Sequence, residues 1–359
     1  MNSQSLEKST WQDNIQSPKS HQLSDAINAA VTFLLEARNP EGWWLEYEVP
    51  DGPSDEWTTA YVGIRLAKVP DTRVPEALMR AWELLKTRNH RSTGGWGFTS
   101  TLPADADSTC VGIQLAEAVG ASDYEQTQQA KAHLANLLQP NSGIATYVED
   151  VARAHFRIPP HIPIEGISGV HVCVNALVAA GLPAFRFRLY DYLKATQTSE
   201  GNWLCQWWPD HEYATAFAAE ALAACGQASD QICIDRAVAW GLKRLNSKGF
   251  VATPEHPDGS PWATAWCLRL LLLDTVSPKV KTAQVAATQW LLEQQRSNGT
   301  WIPSAWMRIC RPHDVDANQF KDWKYHSNRP GGILLDNNSI ATTATVLYSL
   351  QKAAEVFQK

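Results

Sequence analysis

Apolar positions along the chain recur with helical spacing in two alternating registers. One set steps by threes and fours and leaves a polar face. Examples are Leu23, Ile27, Ala30, Val31 and Leu34, then Phe185, Leu189, Tyr192 and Leu193, then Val280, Val285, Trp290 and Leu291. Such stripes predict amphipathic helices. Each is followed by a segment that is apolar on several faces and rich in small residues: 56–68, 107–119, 169–181, 212–225, 262–274 and 338–351. The first two align without a gap, VGIRLA at 62–67 against VGIQLA at 111–116. Helices apolar all round are buried. The pattern therefore predicts outer and inner helices in alternation, six of each, and no segment with strand periodicity competes. Six hairpins can close into an α6/α6 barrel or stack as an open solenoid. Six copies without a polar capping repeat favour the closed, all-α barrel.

Glycines mark the period. Gly42, Gly94, Gly143, Gly201, Gly249 and Gly299 follow the amphipathic segments at intervals of 52, 49, 58, 48 and 50 residues. Two copies spell QxxxGxW, Gln197 to Trp203 and Gln295 to Trp301. Arg38 to Trp44 and His90 to Trp96 keep Gly-x-Trp, Gln139 to Gly143 keeps only Gln and Gly, and the fifth copy keeps only Gly. A glycine just past a helix is the expected left-handed stop. Trp44, Trp203 and Trp301 are assigned to stacking repeat against repeat.

In this arrangement all inner helices begin at one end of the barrel. Trp57, Thr58, Asp107, His171, Tyr213, Trp262 and Asn338 converge on that mouth. The long connections 140–168 and 302–337 lie there too, and long connections in compact domains are often lids or binding loops. The domain reading is a flexible arm over 1–21 and one barrel over 22–359.

Composition narrows the class. The chain has 359 residues and a net charge of −6. It has no block of like charge, so no nucleic-acid surface is expected. Seven cysteines are scattered without a CxxC pair, which reads as reduced thiols in a cytoplasmic protein. The longest strongly apolar run, 268–273, is far short of the roughly 20 residues that span a bilayer. The polar start lacks the apolar core of a secretory signal. Tryptophan is over-used, with 16 against 9 Phe and 9 Tyr.

The segment from Gly94 to Cys110 places two carboxyls, Asp105 and Asp107, at the start of an inner helix. Asp107 could simply cap that helix. Its position at a barrel mouth beside a second acid points instead to chemistry. Burial holds a carboxyl protonated and a neighbouring carboxylate raises its pKa further, while donors to the ionised form make it a stronger acid. His171, at the start of the next inner helix, could donate to Asp107 as the proton leaves, or could be a buried histidine bonded to backbone. Trp57, Tyr61, Trp96, Phe98, Trp207, Trp208, Tyr213, Phe217, Trp262 and Trp266 lie within or just before inner helices, and Trp306, Trp323 and Tyr325 occupy the last connection. Any one ring could be core packing. As a group, their π faces could stabilise a carbocation by roughly 0.5–2 kcal/mol per ring, in a chamber that excludes water. An acid at one end and rings along the walls suit protonation of an alkene or epoxide.

The QxxxGxW copies, with Asp105-Ala-Asp107-Ser-Thr opening the second inner helix, resemble the class II terpene cyclases of the squalene–hopene cyclase superfamily over residues 22–356. In that family the motif is DxDD-T and its middle Asp is the catalytic acid, a role the resemblance carries to Asp107, with Asp105 as the first Asp. The family's histidine partner of the acid corresponds by position to His171. The fourth motif place holds Ser108 instead of Asp, and oxidosqualene cyclases have Asp-Cys-Thr there, so alkene and epoxide substrates both stay open, with Asp105 leaning toward the alkene. The chain is about half the length of two-barrel cyclases. It is similar to the monodomain meroterpenoid cyclases of the merosterolic acid synthase type, which fold a prenylated aromatic acid into a polycycle. The resemblance implies an isomerase (intramolecular lyase) that uses no metal and no cofactor, takes a hydrophobic isoprenoid substrate, and could meet a membrane peripherally at its mouth.

No DDxxD and no zinc spacing are visible, and Asp314 to Asn318 lacks the glycine of a calcium loop. A carboxylate headgroup would favour an Arg partner, and Arg153, Arg157, Arg308 and Arg311 lie in suitable connections. The competing readings are a protein prenyltransferase β-subunit, an α6/α6 glycoside hydrolase and a non-catalytic barrel used for interaction. Two carboxyls two residues apart are poorly placed to flank a glycosidic bond.

Overall fold

The computed structural model describes residues 18–89, 93–140 and 143–358. Most of the expected arm, residues 1–17, lies outside the described residues, and the first helix already begins at Ser20, inside the expected 1–21 boundary.

Outer and inner helices alternate as hairpins. α1 (Ser20–Glu36) leads to α2 (Glu56–Leu66), and α3 (Val74–Arg88) to α4 (Ala106–Ala118). α5 (Glu125–Asn136) leads through the short helices α6 (Glu149–Phe156) and α7 (Glu165–Ser168) to α8 (Val172–Gly181). α9 (Pro183–Thr196) pairs with α10 (Glu212–Cys225), α11 (Gln231–Arg244) with α12 (Pro261–Leu271), and α13 (Pro278–Glu293) with α14 (Ile340–Phe357). Each inner helix packs on the next, and α14 returns to pack on α2. The six inner helices thus form a closed ring, and the solenoid alternative is excluded. Every residue of α2 and of α12 is buried, which explains their lack of a polar face.

The repeat motif has a local chemical meaning. The indole N–H groups of Trp44, Trp96, Trp203 and Trp301 donate to the carbonyls of Leu34, Leu85, Leu193 and Leu291 at 2.6–2.8 Å. Each ring thereby ties the turn to the outer helix before it. Gln197 donates to Gly201 and to Cys233 of the next outer helix, and Gln295 donates to Gly299 and to Ala26 of α1. The last repeat is thus stitched to the first. The glycines are not helix stops, because Gly201 and Gly299 lie several residues beyond α9 and α13. Their positive φ values (+99° and +83°) let the turn press against a neighbouring outer helix, where a Cβ would meet a carbonyl at 2.5 or 2.3 Å.

Short strands interrupt the all-helical expectation. β1 (Glu46–Val49) and β2 (Gly52–Ser54) form a hairpin before α2. The 302–337 connection holds β3 (Trp306–Ile309), β4 (Lys324–Tyr325) and β5 (Gly332–Leu335) in the order β3-β5-β4. β3 and β5 are antiparallel, and β4 and β5 are parallel. Strands of two to four residues carry no readable period. A second apolar cluster joins Tyr147, Ile158, Ile164 and Ile167 of the first long connection to Cys310 and Ala317 of the second. The two connections are thereby packed together over the mouth, with Gly166 N–H bonded to the Pro312 carbonyl at 2.8 Å.

Candidate active site

Beneath this roof lies a cavity of about 290 Å³. Its polar floor comes from the first turn of α4, with Asp105, Asp107 and Ser108, beside Trp57 from α2. The walls are apolar and aromatic: Phe98, Tyr147, Phe156, Trp207 and Trp208, with Ile158, Ile167, Met307 and Ile309.

The two acids have different environments. Asp105 is the N-cap of α4, and its oxygens accept from Ser108 N at 2.7 Å and Ser108 Oγ at 2.8 Å. Capping therefore belongs to Asp105, and the capping alternative for Asp107 falls away. Ser108 serves that cap. Asp107 stands one step into the helix and reaches the cavity, where Trp57 Nε1 donates to Oδ1 at 2.7 Å. Burial raises the Asp107 pKa to about 6, against the lowering effects of the Trp57 hydrogen bond and the Arg65 charge. Desolvation thus shifts the carboxyl toward its protonated form, while its ionised form has two specific stabilisers.

His171 is not the partner of the acid. It is the N-cap residue of α8, and both ring nitrogens are engaged elsewhere. Nε2 donates to the Glu165 carbonyl at 2.9 Å, leaving Nδ1 of the neutral ring to accept from the Thr146 hydroxyl at 2.7 Å. Burial lowers its pKa to about 4, so the ring is neutral near pH 7 and holds the 140–168 connection against the barrel. The donor to Asp107 is Trp57, a ring expected only to line the wall.

Of the expected aromatic wall, Trp57, Phe98, Trp207 and Trp208 line the cavity. Trp96 does not, because it is a repeat tryptophan bonded to Leu85. Tyr61, Phe217 and Trp266 lie deeper in the barrel around the Arg65 guanidinium, 4.6, 5.7 and 5.7 Å from their ring centres. Tyr213 and Trp262 stack nearly parallel behind Trp208 and form a second layer. Trp306 turns outward, donating to His256 at 3.1 Å and meeting Tyr325 edge-on at 5.2 Å, while the Tyr325 hydroxyl donates to Glu255. Neither belongs to the cavity lining. The rings of Tyr147 and Phe156 were not expected; the signal available was their place in an over-long connection.

Among the four arginines, Arg308 lines the cavity. Its Nη1 donates to the carbonyls of Cys205 and Gln206 and to Asn318 Oδ1, and its Nε has no hydrogen-bond partner among the described residues. Arg153 is paired with Glu149, and Arg311 with Asp314. Arg157 ends α6 in a left-handed conformation. Among the described residues, no group of three or more His, Cys, Asp or Glu side chains is placed to hold a metal ion, and no helix is long and apolar enough to cross a membrane.

Comparison with known proteins agrees with this geometry. The squalene-hopene cyclase C-terminal domain matches residues 104–315. A squalene–hopene cyclase from Zymomonas mobilis is 28% identical over 144 residues, 36% of this chain and 21% of that protein, so the match takes in about a fifth of the curated relative's length. The type II terpene cyclase MstE from Scytonema, solved as a variant with geranylgeranyl dihydroxybenzoate as substrate, superposes with a TM-score of 0.91 at 58% identity, covering 94% of this chain and 99% of that one. Another MstE variant, solved with merosterolic acid A as product, is 59% identical over the same shares, also with a TM-score of 0.91. A protein from Actinoplanes has a TM-score of 0.84 at 35% identity, covering 92% of this chain and 99% of that one.

Proposed function

The chain belongs to the type II terpene cyclases of the squalene–hopene cyclase family, and on that premise we propose that Asp107 is the acid that starts cyclisation of a prenylated aromatic acid, such as geranylgeranyl dihydroxybenzoate, to a polycyclic meroterpenoid. Class II chemistry is proton-initiated. The Asp107 O–H bond breaks as a C–H bond forms at an alkene carbon, and the carboxylate left behind keeps the Trp57 N–H. The cation passes along the chain as each alkene π pair closes a ring. Loss of a proton ends the sequence, so the product is an isomer of the substrate and no co-substrate is consumed. Trp57, Phe98, Trp207 and Trp208, joined by Tyr147 and Phe156, present π faces to the cation and exclude water.

The observation that carries this reading is the 2.7 Å bond from Trp57 to Asp107 on the floor of a cavity with mainly apolar and aromatic walls. Asp105 acts by holding the turn that aims Asp107. Arg308, the cation on the cavity wall, suits the carboxylate of the aromatic head. In this reading the reaction is housed in the barrel of residues 22–359, with 140–168 and 302–337 as its roof. Seven free thiols accord with a cytoplasmic setting, with a membrane as the reservoir from which a prenylated substrate reaches the mouth.

The test is incubation of the purified protein with geranylgeranyl dihydroxybenzoate, followed by mass spectrometry and NMR. The expected product has the substrate's mass and fewer alkene protons, and Asp107→Asn, which leaves the Asp105 cap intact, gives none. Unchanged substrate with the native protein, or undiminished turnover by Asp107→Asn, would overturn the reading.

A further inference from the structure

Arg65 is a buried cation without an anion. It is 3% exposed, and among the described residues it forms no ion pair, and its Nε and Nη2 have no hydrogen-bond partner. Rings from four inner helices surround it instead: Tyr61 of α2, Phe217 of α10, Trp266 of α12 and Tyr348 of α14, with the guanidinium carbon 4.0–5.7 Å from their centres. It also sits in the last turn of α2, where the negative end of the helix dipole favours a cation. These contacts make the burial tolerable, but none of them neutralises the charge. Arg269, which meets the same Tyr348 ring at 3.7 Å, is different because Glu220 pairs with it at 2.6 Å.

The field of an unneutralised charge persists in a low-dielectric interior. What lies along its path is the acid. Trp57, Tyr61 and Arg65 follow one another at four-residue steps on α2. The rings of Trp57 and Tyr61 stack at 4.6 Å and 17°, Arg65 covers Tyr61, and Trp57 donates to Asp107. Eight residues of helix separate Arg65 from Trp57 by roughly 12 Å.

We propose that Arg65 is a positioning residue for proton release: an aromatic-caged, unpaired guanidinium inside the barrel whose field stabilises the Asp107 carboxylate as it forms. The claim rests on the assignment of Asp107 as the acid. The cage also fixes this charge outside the cavity lining. Burial and Arg65 pull on Asp107 in opposite directions, one keeping the proton on and the other easing its departure. Among the described residues, the other ionisable groups around Asp107 are Asp105 and Cys110 at the N-cap and in the body of its own helix, Cys173 on α8, Tyr213 on α10, and Asp51, Tyr147, Arg308 and Cys310 in the cavity lining. All of them remain when Arg65 alone is changed.

The experiment compares Arg65→Met and Arg65→Lys with the native enzyme, as kcat against pH with geranylgeranyl dihydroxybenzoate. In Arg65→Met the alkaline limb is expected to move up by roughly one pH unit. Its low-pH plateau falls a few-fold, because the carboxylic acid is weaker. Arg65→Lys, which keeps the charge, returns the limb toward its native position. A merely structural role would lower activity without raising the limb. Should Arg65→Met not fold, Arg65→Gln is read in its place. A limb that stays put or moves down in the neutral variant, or one that Lys does not restore, overturns the proposal while native cyclisation and an inactive Asp107→Asn leave the acid assignment standing. Absence of cyclisation by the native enzyme overturns the assignment itself.

Discussion

Trp57 and Asp107 stand fifty residues apart in sequence, each in the first turn of consecutive inner helices, and meet through one hydrogen bond from indole Nε1 to carboxyl Oδ1. The donor stabilises the charged form of the acid, so it belongs to the state reached when the proton has left. Trp57→Phe keeps a ring against Tyr61 and removes the N–H. A hydrogen bond to a charged group contributes roughly 1.5–3 kcal/mol, so kcat is expected to fall by about one to two orders of magnitude with little change in KM. The Asp107 pKa rises above its value of about 6, and the alkaline limb of the pH profile moves up with it. Steady-state kinetics across pH checks both, and a native kcat in Trp57→Phe would remove the donor from the mechanism.

The rings divide into those that face the cavity and those that face Arg65, and the two groups should respond differently to truncation. Trp207 lines the cavity and meets His171 edge-on at 5.5 Å. Trp207→Ala is expected to release partly cyclised, water-quenched products, detected by mass spectrometry of the extracted mixture. Trp266 is fully buried among Tyr213, Phe217 and Arg65. Trp266→Ala should instead lose roughly 3–5 kcal/mol of stability and give no new products from its folded fraction. The same product spectrum from both variants would erase the distinction.

The parts of this molecule legible in its sequence are those whose chemistry is local. The repeat tryptophans bond to a carbonyl ten or eleven residues earlier, so glycine, ring and helix recur together as one readable unit. Asp105 and Asp107 were visible for the same reason, but their division of labour was not. Two residues of helix phase decide which carboxyl caps the helix and which takes the Trp57 donor. Trp57 and Arg65 took their places from contacts between different inner helices, which no single repeat contains, and His171 took its place from the folding of the 140–168 connection back onto the start of α8. The roof strands were invisible because two to four residues cannot display a period of two.

Glu46 and Asp336 share the N-terminus of α14, and that sharing sets a pH dependence of stability. Glu46 accepts from the backbone of Asn338 and Ile340, both at 3.0 Å, and Asp336 from Ser304, Ala305 and Thr342 at 2.7–3.0 Å. Burial, then the charge of Asp336, raises the Glu46 pKa to about 8, and burial raises that of Asp336 to about 7. Unfolded carboxyls titrate near 4. Folded, the pair therefore binds more protons between about pH 4 and pH 8, and its contribution to stability is lost as pH rises through that window. Melting temperature is expected to decline between about pH 7 and pH 9, above the range in which the buried neutral rings of His171 and His211 offset the pair. Glu46→Gln should melt lower than native at pH 5, having lost one acceptor, and should show a flatter decline. A native melting temperature that climbs from pH 7 to pH 9 would contradict the carboxyl assignment.

Arg308 supplies a prediction that separates binding from architecture. Its Nη1 bonds help hold β3 to the segment around Cys205 and Gln206, so any substitution will disturb the roof to some degree. The guanidinium is nevertheless desolvated, lines the cavity and forms no ion pair with a carboxylate among the described residues. A buried, unpaired cation gains most from an incoming anion, because the anion relieves an existing desolvation cost. Arg308→Gln should therefore raise KM for a prenylated dihydroxybenzoate by roughly 10- to 100-fold. For the matching prenylated phenol without the carboxylate, native and variant enzymes should differ far less. The ratio of the two ratios isolates the carboxylate contact from damage common to both substrates. Equal losses on the two substrates would assign Arg308 to the roof alone and leave the headgroup to another residue.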